Sequence, residues 1–437
     1  MRSRRFSLAA ATRVALVVLA ASSGAVRAQD ARGDAPEDAP RSATTTVFAR
    51  YASRILKIQT VEIGSAAKVS TGTGFFVTAT GRMMTNYHVI SDWIHEPTNH
   101  RIEILDADGN PTVARVLAID VVSDLAVLET GRTTPEHFTL SAVALLQGER
   151  LYSLGHPGDL GLSIVEGTYN GFLQHTLYTK IHFTGSINPG MSGGPTITER
   201  GRVVGVNVST MGNQRSFLVP QDRAAALLGR VLAPGFAPPD SFLPVVAAQV
   251  RAFQTAYLTG MFDGEVASVA VGGFNVPTEP KPIFRCWGNA DRDPEDLVET
   301  LEHWCSTDDE VYIAREQSAG VISLHHQVFR ATGVGARRFT SFFEENFASD
   351  NTPAGNEEHV TEWRCATRNV RTAAATMRVA YCLRRLRKLT ELYDAVVKLA
   401  VVGDGATGLL STLTLTGVSA DNAERLSSRW LELVSWR

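Results

Sequence analysis

The chain has 437 residues and a formal net charge of −3. Apolar residues make up 44% of the sequence and charged residues 20%, which is the composition of a globular protein and excludes disorder over the whole length. The length is sufficient for two packed domains. Because the net charge is small, the sequence has no broad basic surface and predicts no nucleic-acid partner.

The N-terminus has the features of an export signal. Arginines precede an apolar run over Val14–Ala21, and small residues lead to a cleavage point after Ala28. The run is shorter than the roughly 20 residues of a membrane-spanning helix, which favours cleavage over an uncleaved anchor. Arg4-Arg5 fits a twin-arginine signal, but Ser7 stands where a bulky apolar residue is usual, which favours general secretion. We expect an exported protein, periplasmic or extracellular, with no stable membrane insertion after cleavage of residues 1–28.

Changes in composition divide the rest of the chain. Residues 29–43 are acidic and contain proline, as linkers do. From 44 to 232, short apolar runs of β type alternate with turn residues, which predicts a barrel or sandwich. A stretch rich in proline at 233–244 ends this pattern and predicts a second linker. Residues 245–437 then form a C-terminal domain of unknown role.

The C-terminal domain is predicted to be α+β. Helical spacing predicts helices over Val246–Phe262, Pro294–Trp304 and Ala373–Leu399, and short apolar runs predict strands over Val321–Leu324 and Leu409–Thr416. The last helix has a basic face, interpreted as solvated rather than as a surface for an acidic partner. Its members are Arg378, Arg384, Arg385, Arg387 and Lys388.

All four cysteines lie in this domain. An even number in an exported chain predicts two disulfides, and pairing Cys286 with Cys305 and Cys365 with Cys382 closes the shortest loops. The alternative is a zinc site with a histidine from the same region (His303, His325 or His359), but the spacing is not that of a zinc motif. No metal and no other cofactor is predicted. Three tryptophans beside the cysteines are expected to pack around the disulfides: Trp287, Trp304 and Trp363.

One serine is framed by glycines, in Asn188-Pro189-Gly190-Met191-Ser192-Gly193-Gly194-Pro195. Peptide hydrolysis by serine needs a nucleophilic hydroxyl, a base, a carboxylate that orients the base, and backbone donors for the oxyanion. The glycines allow the backbone to turn so that the N–H groups of Gly190 and Ser192 converge. Taken alone, the same stretch also fits a flexible loop.

A histidine and an aspartate complete this set. The segment Met84–Ile90 follows a turn and predicts a hairpin strand that ends at His88, whose ring can act as a base near neutral pH. Asp124 immediately precedes the apolar run 125–128, so we expect it to be buried against His88 where a strand enters the core. Asp120 is the competing carboxylate and is expected to close the preceding turn.

The segments Thr85–Val89, Ser123–Leu128 and Asn188–Pro195 resemble the three motifs of the HtrA/Deg-type trypsin-like serine proteases, and the resemblance covers roughly residues 45–225. The order His, Asp, Ser is that of the chymotrypsin clan. The resemblance implies an all-β protease domain of two six-stranded barrels of the chymotrypsin type, here followed by a smaller, disulfide-bearing α+β domain. Met191 replaces the aspartate that pairs with a newly cut N-terminus in vertebrate trypsins, so no propeptide removal is expected. Nothing after residue 240 resembles a PDZ domain.

The resemblance also predicts the residues that line the specificity pocket: Ser186, Ile187, Val208, Ser209, Thr210 and Ser216. None of them is acidic, so a Lys or Arg side chain would enter with its charge unpaired, at a high cost. We therefore expect cleavage after small or medium apolar residues. The edge from Val208 to Thr210 is expected to bind the substrate backbone as an added strand.

The predicted function is that of an exported serine endopeptidase that acts on protein or peptide substrates through an acyl-enzyme. The alternative is a catalytically weak peptide-binding or chaperone-like scaffold, but a pure scaffold has no need of His88, Asp124 and Ser192 together. In a third interpretation, the C-terminal domain is the functional part, and the protease is its processing or activation module. The sequence does not indicate the oligomeric state.

Overall fold

A computed structural model of the protein describes residues 42–436, apart from positions 135, 213, 263–264, 292, 294–295, 308, 349–351 and 404. The predicted signal peptide, residues 1–28, lies outside the described residues, and so does the predicted linker up to residue 41. Helix α1 spans Ala43–Tyr51 and is capped by Ser42, whose hydroxyl accepts a hydrogen bond from the N–H of Thr45. A 3₁₀ turn over Ala52–Arg54 leads into the first strand.

In the described part of the chain, two closed barrels of six antiparallel strands each follow one another, and the predicted fold of the protease domain is confirmed. In the first barrel, alternate side chains such as Ile58, Met83 and Ile104 point inward and are fully buried. Its strands are β1 Ile55–Glu62, β2 Lys68–Phe76, β3 Arg82–Thr85, β4 His100–Leu105, β5 Pro111–Asp120 and β6 Leu125–Glu129. They pair in the order β1-β2-β3-β6-β5-β4.

Helix α2 spans Tyr87–His95 and connects β3 to β4. The expectation that His88 ends a hairpin strand is wrong, because β3 stops at Thr85 and Asn86 turns the chain into the helix. His88 therefore lies in the first helical turn. Val89, Ile90 and Ile94 are buried against the barrel, as in an amphipathic helix that packs on a sheet.

The second barrel carries the glycine-framed serine. Its core is a cluster of apolar side chains that includes Leu151, Phe183, Met191 and Leu218. The strands are β7 Arg150–Gly155, β8 Ser163–Phe172, β9 Ile181–Phe183, β10 Pro195–Ile197, β11 Val203–Thr210 and β12 Ser216–Pro220. They pair in the order β10-β11-β12-β9-β8-β7. Helix α3, Gln221–Leu232, follows and buries Ala224, Leu227, Leu228 and Val231, which share one helical face.

The C-terminal region has the predicted mixture of helices and strands and is about as long as the protease domain. The elements are α4 Leu243–Leu258, β13 Ser268–Val271, β14 Phe274–Pro277, β15 Phe284–Asp291, β16 Val298–Thr307, β17 Val311–Ala314, β18 Gln317–Ala319, β19 Ile322–Ala331, α5 Ala336–Ala348, β20 Arg364–Arg371, β21 Thr376–Arg385, β22 Tyr393–Val402, β23 Thr407–Val418, α6 Ala420–Glu432 and β24 Ser435–Trp436. The largest sheet has seven antiparallel strands among the described residues, in the order β15-β16-β19-β23-β22-β21-β20. Strands β17 and β18 form a separate hairpin.

Two of the predicted helices are strands. Within 294–304, positions 294–295 lie outside the described residues, and β16 covers the rest from Val298 onward. The segment 373–399 holds β21, a turn and most of β22. Strand β22 is buried along nearly its whole length in the middle of the sheet, and such an apolar run cannot be told from a buried helix by periodicity. Helix α4 begins three residues before the predicted Val246 and ends four before Phe262.

The supposed basic helix face does not exist as one surface. Arg378, Arg384 and Arg385 lie on β21, and the other two lie in the turn after it. Arg384 is 9% exposed, and its Nε lies 2.8 Å from Asp394 Oδ2. Lys388 pairs with Glu96, at the end of helix α2, at 2.7 Å.

The structure has both disulfides in the local pairing, Cys286–Cys305 and Cys365–Cys382. Each joins an edge strand of the large sheet to its neighbour at directly opposite residues. The tryptophans do not form a core around them: Trp287 is 43% exposed and stacks on Trp304 with ring centroids 6.4 Å apart. Trp363 packs against the Arg384 guanidinium at 4.5 Å.

Among the described residues, no helix is long and apolar enough to cross a membrane.

The barrel region and the C-terminal region share a hydrophobic core. Val246 and Val250 of α4, together with Val311 and Ile313 of β17, belong to the same buried cluster as the inner residues of the first barrel and helix α2. At the same interface, Gln249 accepts a hydrogen bond from the N–H of Val121 at 2.8 Å. The C-terminal domain is therefore packed directly on the first barrel.

Candidate active site

His88 and Asp124 are in direct contact. His88 Nδ1 lies 2.5 Å from Asp124 Oδ2, and the backbone N–H of His88 donates to Asp124 Oδ1 at 2.8 Å. The carboxylate thus accepts from two donors of one residue, which fixes both the position of the helix start and the orientation of the ring. Asp124 is 5% exposed, so solvent screens this contact little.

The backbone around Asp124 is specialised for this contact. Asp124 has a φ of +52°, in the left-handed region that non-glycine residues adopt rarely and aspartate more readily than most. Its carbonyl oxygen accepts from the N–H of Tyr87 at 3.2 Å and from Asn86 Nδ2 at 2.7 Å. Asp120 has a different task, because its carboxylate accepts from the N–H of Ser123 at 3.0 Å within the turn. Of the two candidate carboxylates, it is Asp124 that faces the histidine.

The environment of His88 favours its protonated form. Burial lowers the pKa of the imidazole, but the charge of Asp124 and the hydrogen bond to it raise the pKa by more, so that it lies above its usual value of 6.5. A carboxylate at Nδ1 also keeps the proton of the neutral ring on that nitrogen and leaves Nε2 as an acceptor. Such a ring can take a proton from a neighbouring hydroxyl.

The loop of Ser192 is attached to the first barrel by Thr73 of β2. The N–H of Thr73 donates to Ser192 O at 2.8 Å, and its hydroxyl donates to Gly190 O at 2.7 Å. The neighbouring Gly72 lies between Ser192 and helix α2, because a Cβ there would be 3.1 Å from Ser192 O and would collide with Val89. The serine is therefore next to the first turn of α2, which carries His88. Among the described residues, no hydrogen bond joins Ser192 Oγ to His88 Nε2, a contact that is often long before substrate binds.

The N–H groups of this loop are used unequally. Those of Met191, Gly193 and Gly194 donate to backbone carbonyl oxygens at 2.9–3.1 Å. In the part of the chain that the structure describes, no hydrogen bond uses the N–H of Gly190 or Ser192. Gly190 has a φ of +95°, and a Cβ there would collide with the carbonyl oxygen of His156, so this backbone conformation requires glycine. Two unpaired donors beside a serine are what an oxyanion hole needs.

Two supporting residues were not predicted from the sequence. Thr73 joins the barrels as described above, and Asn207 braces the serine loop from β11. Asn207 Nδ2 donates to Met191 O at 3.1 Å, and its backbone oxygen accepts from the N–H of Gly193 at 2.9 Å. Thr73 lies within a glycine-flanked segment that leads toward His88, whereas no local signal distinguishes Asn207.

The residues expected to form the specificity pocket differ in exposure. Ile187, Val208 and Ser216 are buried, and the N–H of Ile187 donates to the Ser216 hydroxyl at 3.1 Å. Ser209 is half-buried, and Ser186 and Thr210 are exposed. Ser209 and Thr210 are the last two residues of β11, and on one side they pair with β12. On the other side, β10 pairs with β11 only as far as Val206. Met191 is fully buried in the second barrel, which anchors the loop through apolar contacts.

One side chain of the C-terminal domain reaches the site. The Tyr312 ring meets the His88 ring edge to face, with centroids 5.9 Å apart. The sequence gives no hint of this residue, because the contact depends on how the two domains pack.

A possible metal cluster lies far along the chain, in the C-terminal sheet. Among the described residues, Cys286, His303 and Cys305 have potential ligand atoms within 4.8 Å of one another. The two sulfur atoms are bonded to each other, and a disulfide offers no thiolate to a metal.

Comparisons with known proteins agree with the geometry. Residues 72–206 match the family profile of the trypsin-like peptidase domain. The chain is 30% identical over 177 residues to the serine protease HTRA2, mitochondrial, of Bos taurus, across 38% of this chain and 37% of that protein. It is 26% identical over 175 residues to a "probable periplasmic serine endoprotease DegP-like" of Chlamydia trachomatis, across 38% and 34% of the two chains.

A solved structure, that of the serine endoprotease from Yersinia pestis, is also similar, with 21% identity and a TM-score of 0.39 over 46% of this chain and 70% of that one. The chain spans little more than a third of the length of the two curated relatives, at 37% and 34%. The segment that holds His88, Asp124 and Ser192 thus matches the trypsin-like peptidase domain, and the chain is similar to serine proteases named HTRA2 and DegP-like.

Proposed function

We propose that this protein is a serine endopeptidase that hydrolyses peptide bonds through an acyl-enzyme on Ser192. The observation that carries the proposal is the 2.5 Å contact between His88 Nδ1 and Asp124 Oδ2 inside a trypsin-like domain. This contact orients the ring and leaves Nε2 able to accept the proton of a serine hydroxyl.

In the proposed reaction, Ser192 Oγ attacks the carbonyl carbon of the scissile bond while His88 Nε2 takes its proton. The resulting imidazolium is stabilised by the carboxylate of Asp124. His88 then protonates the leaving amine, and the C–N bond breaks to give the acyl-enzyme. A water molecule, deprotonated by His88, then attacks the ester carbonyl. The bond from the acyl carbon to Ser192 Oγ breaks, His88 returns the proton to Oγ, and the acid is released.

The negative oxygen of each tetrahedral intermediate would accept hydrogen bonds from the N–H groups of Gly190 and Ser192. Their lack of other acceptors among the described residues supports this role. Each such donor contributes about 3 kcal/mol to transition-state stabilisation in comparable sites.

We further propose that the enzyme prefers small or medium apolar residues at the cleaved position. The six residues expected around the pocket carry no acidic group, and Ile187 and Val208 are apolar and buried. A Lys or Arg side chain would lose its hydration there without gaining a partner. Digestion of a peptide library and sequencing of the products tests this preference, and cleavage restricted to Lys or Arg would contradict it.

We also propose that the protein is exported. The arginine-rich start followed by an apolar run supports a signal peptide, and relatives named DegP-like are described as periplasmic. Intact mass of the protein recovered outside the cytoplasm is expected to correspond to a chain that begins at Gln29.

Labelling with a serine-directed fluorophosphonate tests the proposed activity. The folded parent is expected to be labelled, whereas Ser192→Ala and His88→Ala are not, because the first lacks the nucleophile and the second lacks its base. A folded parent that resists labelling would contradict the proposal and favour the peptide-binding scaffold.

A further inference from the structure

Helix α2, which carries His88, lies between the first barrel and the C-terminal domain. On the barrel side, Thr60 Oγ1 donates to Val89 O at 2.9 Å. On the other side, the hairpin of β17 and β18 packs along the helix. A helix of nine residues has little stability by itself, so its position depends on both neighbours.

The hairpin binds one side of α2 from end to end. Tyr87 Oη donates to Ile313 O at 2.7 Å, and His95 Nε2 lies 3.1 Å from the same oxygen. Between them, Ser91 Oγ and Tyr312 Oη are 3.2 Å apart. Positions 87, 91 and 95 are four residues apart and therefore share one helical face. Each of these three side chains contacts the hairpin, and within the helix Ser91 Oγ also donates to His88 O at 3.2 Å.

The hairpin region also reaches the second barrel. Asp309, two residues before β17, accepts from Lys180 Nζ at 2.6 Å and from the N–H of Leu177 at 3.2 Å. Both ends of this ion pair are largely buried, with side chains 9% and 14% exposed. The C-terminal domain thus bridges the helix of His88 and a loop of the barrel that carries Ser192.

Tyr312 is the member of the hairpin that meets the catalytic ring. Its ring is inclined at 70° to the His88 imidazole, with centroids 5.9 Å apart, and its hydroxyl is held by Ser91. Asp124 fixes the imidazole at one nitrogen only, so rotation about that contact is restricted by what packs against the ring faces and edges.

We propose that Tyr312 is a positioning residue of the active site, contributed by the C-terminal domain, which keeps the His88 imidazole directed toward Ser192. The hairpin of β17 and β18 holds helix α2 in the position that this contact requires. This inference rests on the proposed endopeptidase function.

The test compares Tyr312→Ala and Tyr312→Phe with the parent on a peptide substrate with an apolar residue at the cleaved position. Loss of the ring is expected to lower kcat about 10- to 100-fold, the effect of a small misplacement of a catalytic group. KM is expected to stay within about twofold, because the ring acts on the transition state and not on substrate binding. Tyr312→Phe keeps the ring and is expected to retain kcat within about threefold.

Tyr381→Ala is the matched control, because it removes a partly buried tyrosine of the same domain, on β21, that packs against the core of the large sheet. Its kcat is expected to equal that of the parent. Circular dichroism and thermal unfolding show whether each variant is folded. If Tyr312→Ala does not fold, Tyr312→Leu replaces it, since leucine fills the site without an aromatic edge.

The possible outcomes are distinct. A folded parent that neither cleaves peptides nor reacts with fluorophosphonate overturns the proposed function and this inference with it. An active parent whose Tyr312→Ala variant keeps its kcat overturns the inference alone. Equal losses in Tyr312→Ala and Tyr381→Ala also overturn it, because the effect would then be one of general stability.

Discussion

The replacement Asp124→Asn is expected to remove most of the activity while the fold is kept. Asp124 accepts from the backbone N–H of His88 at 2.8 Å and from its Nδ1 at 2.5 Å. An asparagine has only one side-chain oxygen, and its other group is NH₂, which is a donor. Either the backbone N–H or the Nδ1–H of His88 must therefore face this NH₂ group. If the NH₂ group faces the ring, Nδ1 becomes the acceptor and the proton moves to Nε2, which can then no longer accept the proton of Ser192.

The expected loss follows from this tautomer change. Comparable replacements lower kcat about 10⁴-fold, or about 5 kcal/mol of barrier. The fall of kcat/KM at low pH, its acid limb, reports the pKa of His88, because activity needs the neutral imidazole. The raised pKa of His88 places this limb above pH 6.5 in the parent, and without the charge of Asp124 the residual activity is expected to have its limb at lower pH.

The assay is the pH dependence of kcat/KM on an apolar peptide substrate, measured for the parent and for each variant. Asp120→Asn is the matched control, because Asp120 is an acid of the same turn whose partner is the N–H of Ser123. It is expected to keep kcat within about threefold. Retention of more than about a tenth of the activity by Asp124→Asn, or an equal loss in both variants, would contradict the role assigned to Asp124.

Three other predictions concern the backbone, acid stability and the disulfides. Gly190→Ala, at a φ of +95°, is expected to misalign an oxyanion donor and lower kcat about 10²- to 10³-fold in steady-state kinetics; unchanged kcat would contradict this. Burial of His95 lowers its pKa from 6.5 to about 4, so between these values only the unfolded chain binds the proton. This group alone therefore lowers the free energy of unfolding by about 3 kcal/mol from pH 6.5 to 4. In urea unfolding, His95→Gln is expected to lose less free energy of unfolding between pH 6.5 and 4 than the parent does. An equal loss in both proteins would contradict this role of His95. Alkylation without reduction is expected to modify none of the four cysteines, whereas four modified cysteines would exclude both disulfides.

The two barrels and the contact between Asp124 and His88 could be predicted from the sequence because both depend on short segments. Asp124 stands immediately before the apolar β6, and the glycines around Ser192 indicate a tightly turned backbone. The conformation of the His88 segment was less predictable. A strand and a helix start look alike over the few residues of 84–90, and the decisive contacts of Asn86 come from Asp124, far along the chain.

The C-terminal domain was predicted less well, for a physical reason. Strands β21 and β22 are joined by a turn over residues 386–392 that contains neither glycine nor proline, so nothing local marks the break. Tyr312 was beyond the reach of sequence patterns. It lies 221 residues from Ser91, and its contact with α2 exists only because two domains share one core.

Hydrolysis of an unfolded protein by the parent and by Ser192→Ala, with mass spectrometry of the new chain ends, tests the proposed endopeptidase activity most directly. The parent is expected to release peptides that end in small or medium apolar residues, and Ser192→Ala is expected to release none. Cleavage by both proteins, or by neither, would contradict the assignment of Ser192 as the nucleophile of a peptidase.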